Sequence, residues 1–137
     1  VSYQHVVAVP LTGEPASVRE ARRLLSRTLE EWGAEESSDA VLLAASELIT
    51  NAMRHGRPPM RVAVALGDDH VRVGVSDSLP QCIGNAADPA DDDAESGRGL
   101  GIVAALSSDW GCSVDRGAKE VWFTVDVPHR QLEQTGT

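Results

Sequence analysis

Positive charge is in short supply in this sequence: 12 Lys and Arg stand against 21 Asp and Glu, for a formal net charge of −9. Contacts to a phosphate backbone demand clustered basic residues, so this balance argues against direct binding of nucleic acid. Cysteine is scarce too. Cys82 and Cys112 form no C-x-x-C pair and are too few for a disulfide framework, which points to a reducing compartment. No apolar run approaches the roughly 18 residues of a membrane span, and no basic segment leads into an apolar one at the start as in a secretory leader. Together these absences predict a cytoplasmic protein without membrane contact. Internal repeats are also lacking, and 137 residues suffice for one domain with a real core but not for two ordinary ones.

The apolar pattern predicts the order of elements. "HVVAVPL" (5–11) alternates weakly toward a proline, as an edge strand does. From Pro15 to Trp32 the residues Val18, Ala21, Leu24, Leu25, Leu29 and Trp32 recur at helical spacing, and Gly33 closes the helix. Ser37, Ser38 or Asp39 can cap a second helix, whose pattern runs from Ala40 to Met53 before "HGRPP" stops it. "MRVAVAL" and "VRVGVSD" flank "GDDH" and read as an antiparallel hairpin. Residues 79–98 change texture: "ADPADDDAES" has no base and no large apolar residue, which predicts a lid or an insert. "GLGIVAALSSDWG" then gives a short helix, and "CSVDRG" with "KEVWFTVDVP" gives a second hairpin. The core is expected over about 3–127, with 128–137 as a frayed tail. The fold class that follows is α/β in the broad sense. It is an α+β two-layer sandwich, with a mostly antiparallel mixed sheet carrying its helices on one face.

Three short motifs carry chemistry. In "ASELITNAMRHG", Glu47, Asn51 and Arg54 fall within about 60° of one another on a helix, away from the side that holds Ala45, Leu48, Ile49 and Ala52. Taken alone, such a face is also what any solvated helix shows. In "VRVGVSDSLP", Asp77 comes where an apolar strand ends; half-buried there, it needs a hydrogen-bond donor such as an exocyclic amine, although a turn-initiating Asp looks the same. In "ESGRGLGIV", Gly97, Gly99 and Gly101 lead into a helix, where bare amides can meet an anion at its positive end. The equally plain alternative is a hinge at a loop end. The run is neither a Walker A loop, having no Lys-Ser or Lys-Thr, nor a Rossmann fingerprint, having no strand before it.

In this order, and followed by "GAKEVWF", the motifs resemble the Bergerat-type ATP-binding fold of gyrase B subunits, sensor histidine kinases and anti-sigma-factor serine/threonine kinases. The likeness runs from about Pro15 to Val127 and is nearest to the last group. "ELITNAMRHG" resembles their N box, "SDSLP" stands at their G1 box and "ESGRGLG" resembles their G2 box. The segment of a sensor kinase that carries its phosphoacceptor histidine has no counterpart here, which favours the free-standing anti-sigma type.

The resemblance implies ATP and Mg²⁺ as cofactors, with Asn51 as metal ligand and Glu47 as general base. It also implies that Asp77 reads the adenine amine. Gly97, Gly99, Leu100 and Gly101 would lie against the phosphates, with charge added by Arg98 and Lys119, while His55 and Gly56 complete the N box. The partners it implies are a sigma factor and an antagonist protein phosphorylated on serine, with dimerisation frequent in such relatives. Two positions depart from the family. Leu79 and Gln81 replace both glycines of the G1 pattern D-x-G-x-G, and Glu120 takes the threonine's place in G-K-T-V-W. These departures keep open a nucleotide-gated binding module without useful kinase activity, and a bare scaffold that has lost ATP.

Overall fold

The computed structural model describes residues 3–82 and 94–127. The elements are β1 (His5–Leu11), α1 (Pro15–Glu31), a 3-10 turn (Glu35–Ser37), α2 (Ser38–His55), β2 (Met60–Leu66), β3 (His70–Asp77), α3 (Ala94–Leu106), β4 (Asp109–Asp115) and β5 (Ala118–Asp126). The strands form one open sheet in the order β1-β2-β3-β5-β4. Every pairing in it is antiparallel.

Alternation along the strands decides which face the helices cover. Val62, Val64 and Leu66 of β2, Val71, Val73 and Val75 of β3, and Phe123 and Val125 of β5 are buried at every second position. Against them pack Ala21, Leu25 and Leu29 of α1 and Val41, Ala45, Leu48 and Ile49 of α2, one apolar stripe from each helix. Burying a side chain such as Leu25 or Phe123 contributes about 1.5–3 kcal/mol, which is why these stripes fix the register of the layers. α1 ends because Gly33 takes φ 72°, a left-handed conformation that costs glycine nothing. The β4–β5 turn uses Arg116 at φ 53° and Gly117 at φ 77°, the two positive angles that match the twist of a tight hairpin.

On the other face of the sheet, Arg72 meets Glu120 at 2.6 Å and lies 5.2 Å from the ring centre of Trp122. Glu120 and Lys119 thus point to opposite sides of β5.

The structure differs from the sequence reading at several boundaries. α2 continues through Arg54 and His55, since nothing before Gly56 breaks a helix. β3 begins at His70, whose carbonyl accepts from the Gly67 amide at 2.9 Å, so the turn is shorter than "GDDH". α3 starts at Ala94, inside the segment read as lid, and stops at Leu106. Trp110 and Gly111, assigned to that helix from the sequence, belong to β4. Residues 83–93, with most of the acidic run, and the tail 128–137 lie outside the described residues.

Candidate nucleotide site

β3 and β5 run side by side with Asp77 directly opposite Lys119. Both residues fall on the helix-covered face, in step with Val75 and Val121. The Lys119 Nζ lies 3.3 Å from Asp77 Oδ2, and the two side chains are 7% and 3% exposed. A carboxylate so buried is costly without a partner, and the ammonium supplies one. Asp77 Oδ1 accepts from the Leu79 amide at 2.7 Å, turning the backbone as it leaves the sheet. One residue on, the Ser78 amide donates to the Arg57 carbonyl at 2.9 Å, and its hydroxyl to the Pro58 carbonyl at 2.6 Å. These bonds hold the end of β3 to the segment that follows α2.

A cleft opens between α2, α3 and the sheet beside this pair. Asn51 and His55 reach it from α2, Leu100 from α3, Asp77 and Lys119 from its floor, and Trp110 from β4. Leu48, Ala52, Val75 and Val121 give it apolar walls, the surface a flat heteroaromatic ring needs, with few polar groups to orient that ring.

The last part of the wall corrects the reading of the cysteines. Cys82 and Cys112 are joined in a disulfide, with Cα atoms 6.1 Å apart, and both line the cleft. β4 pairs with β5 so that Cys112 lies opposite Val121, and this brings it within reach of the chain just past Asp77. Sheet order, which spacing does not reveal, makes the pair. The cysteine argument for a reducing compartment therefore falls. No helix among the described residues is long and apolar enough to cross a membrane.

Of the residues picked from sequence, the fold brings Asn51, His55, Asp77, Leu100 and Lys119 together in the cleft. Gly56 stands behind Asp77: a Cβ on it would lie 2.7 Å from Asp77 Oδ2 and 2.7 Å from the Ala52 carbonyl oxygen. Glu47 is half-buried but does not line the cleft; its Oε2 would lie 2.9 Å from a Cβ on Gly99, so it faces α3. Gly97, Arg98, Gly99 and Gly101 all lie within α3 instead of before it. Gly99 and Gly101 are a turn or more inside, where amides join the helical ladder, and a Cβ on Gly101 would meet nothing within 4 Å. Glycine's poor helix propensity, about 1 kcal/mol against alanine, is what made the run look like a loop.

Sequence reasoning missed Trp110 and the two cysteines as cleft residues. A helix-to-strand break at "SSD" was the available signal for Trp110.

Among the described residues no group of three or more His, Cys, Asp or Glu could hold a metal ion. Asn51 and His55 are the neutral side-chain donors in the cleft lining, and the carboxylate there, Asp77, is paired with Lys119.

Residues 11–125 match the family model of the histidine kinase-like ATPase domain. Among solved structures, the chain is similar to the RsbU and RsbW domains of Rv1364c from Mycobacterium tuberculosis, at 24% identity and TM-score 0.65, covering 90% of this chain and 32% of that one. It therefore spans about a third of that protein's chain. A second similar structure is the histidine kinase domain of the blue-light activated histidine kinase EL346 from Erythrobacter litoralis, at 20% identity and TM-score 0.48, covering 93% of this chain and 64% of that one. No curated protein matches the sequence. The chain belongs to the histidine kinase-like ATPase domain family, a kinase-like fold that binds ATP.

Proposed function

We propose that this protein is an anti-sigma regulator that binds ATP and Mg²⁺ in the cleft, sequesters a sigma factor and phosphorylates a serine of an antagonist protein. The observation that carries the reading is the placement of Asp77. It is a buried carboxylate on the cleft floor, framed by Asn51 and His55 of the N box helix. Likeness of the fold to a chain containing an RsbW domain agrees with it.

In this reading Val75 and Val121 would take the adenine ring and Asp77 its amine, and Asn51 would offer its side-chain oxygen to the metal, which would supply charge neutralisation on the phosphates. The chain's own part is to orient the nucleotide, exclude water through the apolar walls and accept a proton from the attacking serine at Glu47.

Calorimetric titration with ATP, with and without Mg²⁺, tests the reading. Affinity should rise with Mg²⁺ in the wild type and lose that dependence in Asn51→Ala; identical behaviour of the two proteins refutes the site. A second reading, a nucleotide-gated binding module that transfers no phosphate, is favoured by the position of Glu47, which faces α3 and lies outside the cleft lining.

A further inference from the structure

The Lys119–Asp77 pair is more than a neutralised carboxylate. An ammonium has three N–H donors, and the only acceptor that Nζ meets among the described residues is Asp77 Oδ2 at 3.3 Å. Two donors remain on a side chain that is 7% exposed and lines the cleft. On Asp77, Oδ1 is engaged by the Leu79 amide and Oδ2 by Lys119. A carboxylate has about four lone-pair sites, so acceptor capacity remains as well. Among the described residues, the cleft floor thus presents, side by side, donors of Lys119 and acceptor sites of Asp77 that no other group engages.

We infer that Lys119 is a base-reading residue: it donates to N1 of the adenine while Asp77 accepts from the N6 amine. The inference rests on the ATP reading above and moves Lys119 from the phosphates, where the sequence resemblance put it, to the base. Adenine's Watson–Crick edge carries the N6 amine donor next to the N1 acceptor, the complement of the Asp77–Lys119 pair. Position supports the move. Asp77 packs at Gly56, five residues past Asn51 and so about 7.5 Å further along the axis of α2 at about 1.5 Å per residue. A phosphate at Lys119 would also lie beside the Asp77 carboxylate, whose charge repels it. A metal and phosphates at Asn51 leave the Asp77 end for the base.

The test compares ATP with 1-deaza-ATP, in which C–H replaces N1, and with 7-deaza-ATP, which keeps it. Wild-type protein should bind 1-deaza-ATP roughly ten- to a hundredfold more weakly than ATP, the range for one hydrogen bond to a charged donor. 7-deaza-ATP should bind like ATP. In Lys119→Met the preference for ATP over 1-deaza-ATP should vanish. Were Lys119 only orienting Asp77, wild type would bind all three nucleotides alike, and that result overturns the inference while leaving the ATP reading intact. A loss with 7-deaza-ATP instead would overturn it too, placing the lysine on the other edge of the base. No binding of ATP at all would overturn the ATP reading and the inference together. The wild-type comparison needs no variant, so poor folding of Lys119→Met does not remove the test.

Discussion

Gly56 and Asp77 lie so close that a Cβ on Gly56 would stand 2.7 Å from the carboxylate oxygen Oδ2. The constraint is space and not conformation, because Gly56 has φ −84° and ψ −179°, which any residue adopts. The glycine that follows the N box histidine thus has a physical role, since its bare Cα lets the end of α2 close on the aspartate that floors the cleft. Gly56→Ala must push either Asp77 or the last turn of α2. It should destabilise the protein by about 1–3 kcal/mol, the usual cost of overpacking, and weaken ATP binding with it. Urea denaturation and calorimetry on the same variant check both effects; an alanine variant with wild-type stability would show that this contact relaxes freely.

Glu120 replaces the threonine that relatives often carry, and its position on the outer face takes its carboxylate away from the cleft. Its carboxylate pairs with Arg72 at 2.6 Å, on the side of the sheet away from the cleft. Glu120→Thr should therefore leave ATP affinity unchanged. Stability should fall by less than about 1 kcal/mol, since the pair is partly solvated and Arg72 keeps its contact with Trp122. A large gain in ATP affinity would mean that the carboxylate reaches the nucleotide after all.

The disulfide ties the chain just past Asp77 to β4, closing a loop with a sequence separation of 30. Constraint of the unfolded chain by a loop of that size is worth about 3–4 kcal/mol. Cys112→Ser, or wild type in excess dithiothreitol, should lower the unfolding midpoint accordingly. It should also weaken ATP binding, because both cysteines form part of the cleft wall. Thiol titration before and after reduction confirms the state of the bond. If the oxidised and reduced proteins melt together, the bond does not constrain the unfolded chain.

What the sequence made legible followed local periodicity. The α2 stripe from Val41 to Ala52 and the alternation of Val71, Val73 and Val75 announce a helix and a strand without any knowledge of their neighbours. What it hid depends on sheet order or on propensity overridden by packing. Lys119 faces Asp77 only because β5 inserts between β3 and β4. The same order brings Cys112 to Cys82, although their spacing suggests nothing. Gly99, a weak helix former, lies within α3 because its missing side chain lets Glu47 of α2 approach. In each case a tertiary contact decided what a local rule could not.

That contact between Glu47 and Gly99 sets up the decisive test of kinase against binding module. Glu47 lies one turn before Asn51 on the same face of α2, as a base beside a metal ligand should, yet its carboxylate faces α3. If Glu47 takes the proton from the attacking serine, Glu47→Gln keeps the shape and the contact with α3 while removing the base. Phosphate transfer to an antagonist protein should then slow by roughly 100-fold or more, the ordinary cost of losing such a group. ATP affinity and the unfolding midpoint should stay at wild-type values, which separates a lost base from a disturbed helix pair. Gly99→Ala gives the complementary variant: its Cβ would displace the carboxylate without removing it. Transfer should slow there as well, with some loss of stability. Equal transfer rates for wild type and Glu47→Gln would show that no base is needed at this position, as a loose phosphoryl-transfer transition state permits. A wild type that binds ATP and its protein partner but transfers no phosphate would make the cleft a gate instead of a catalytic site.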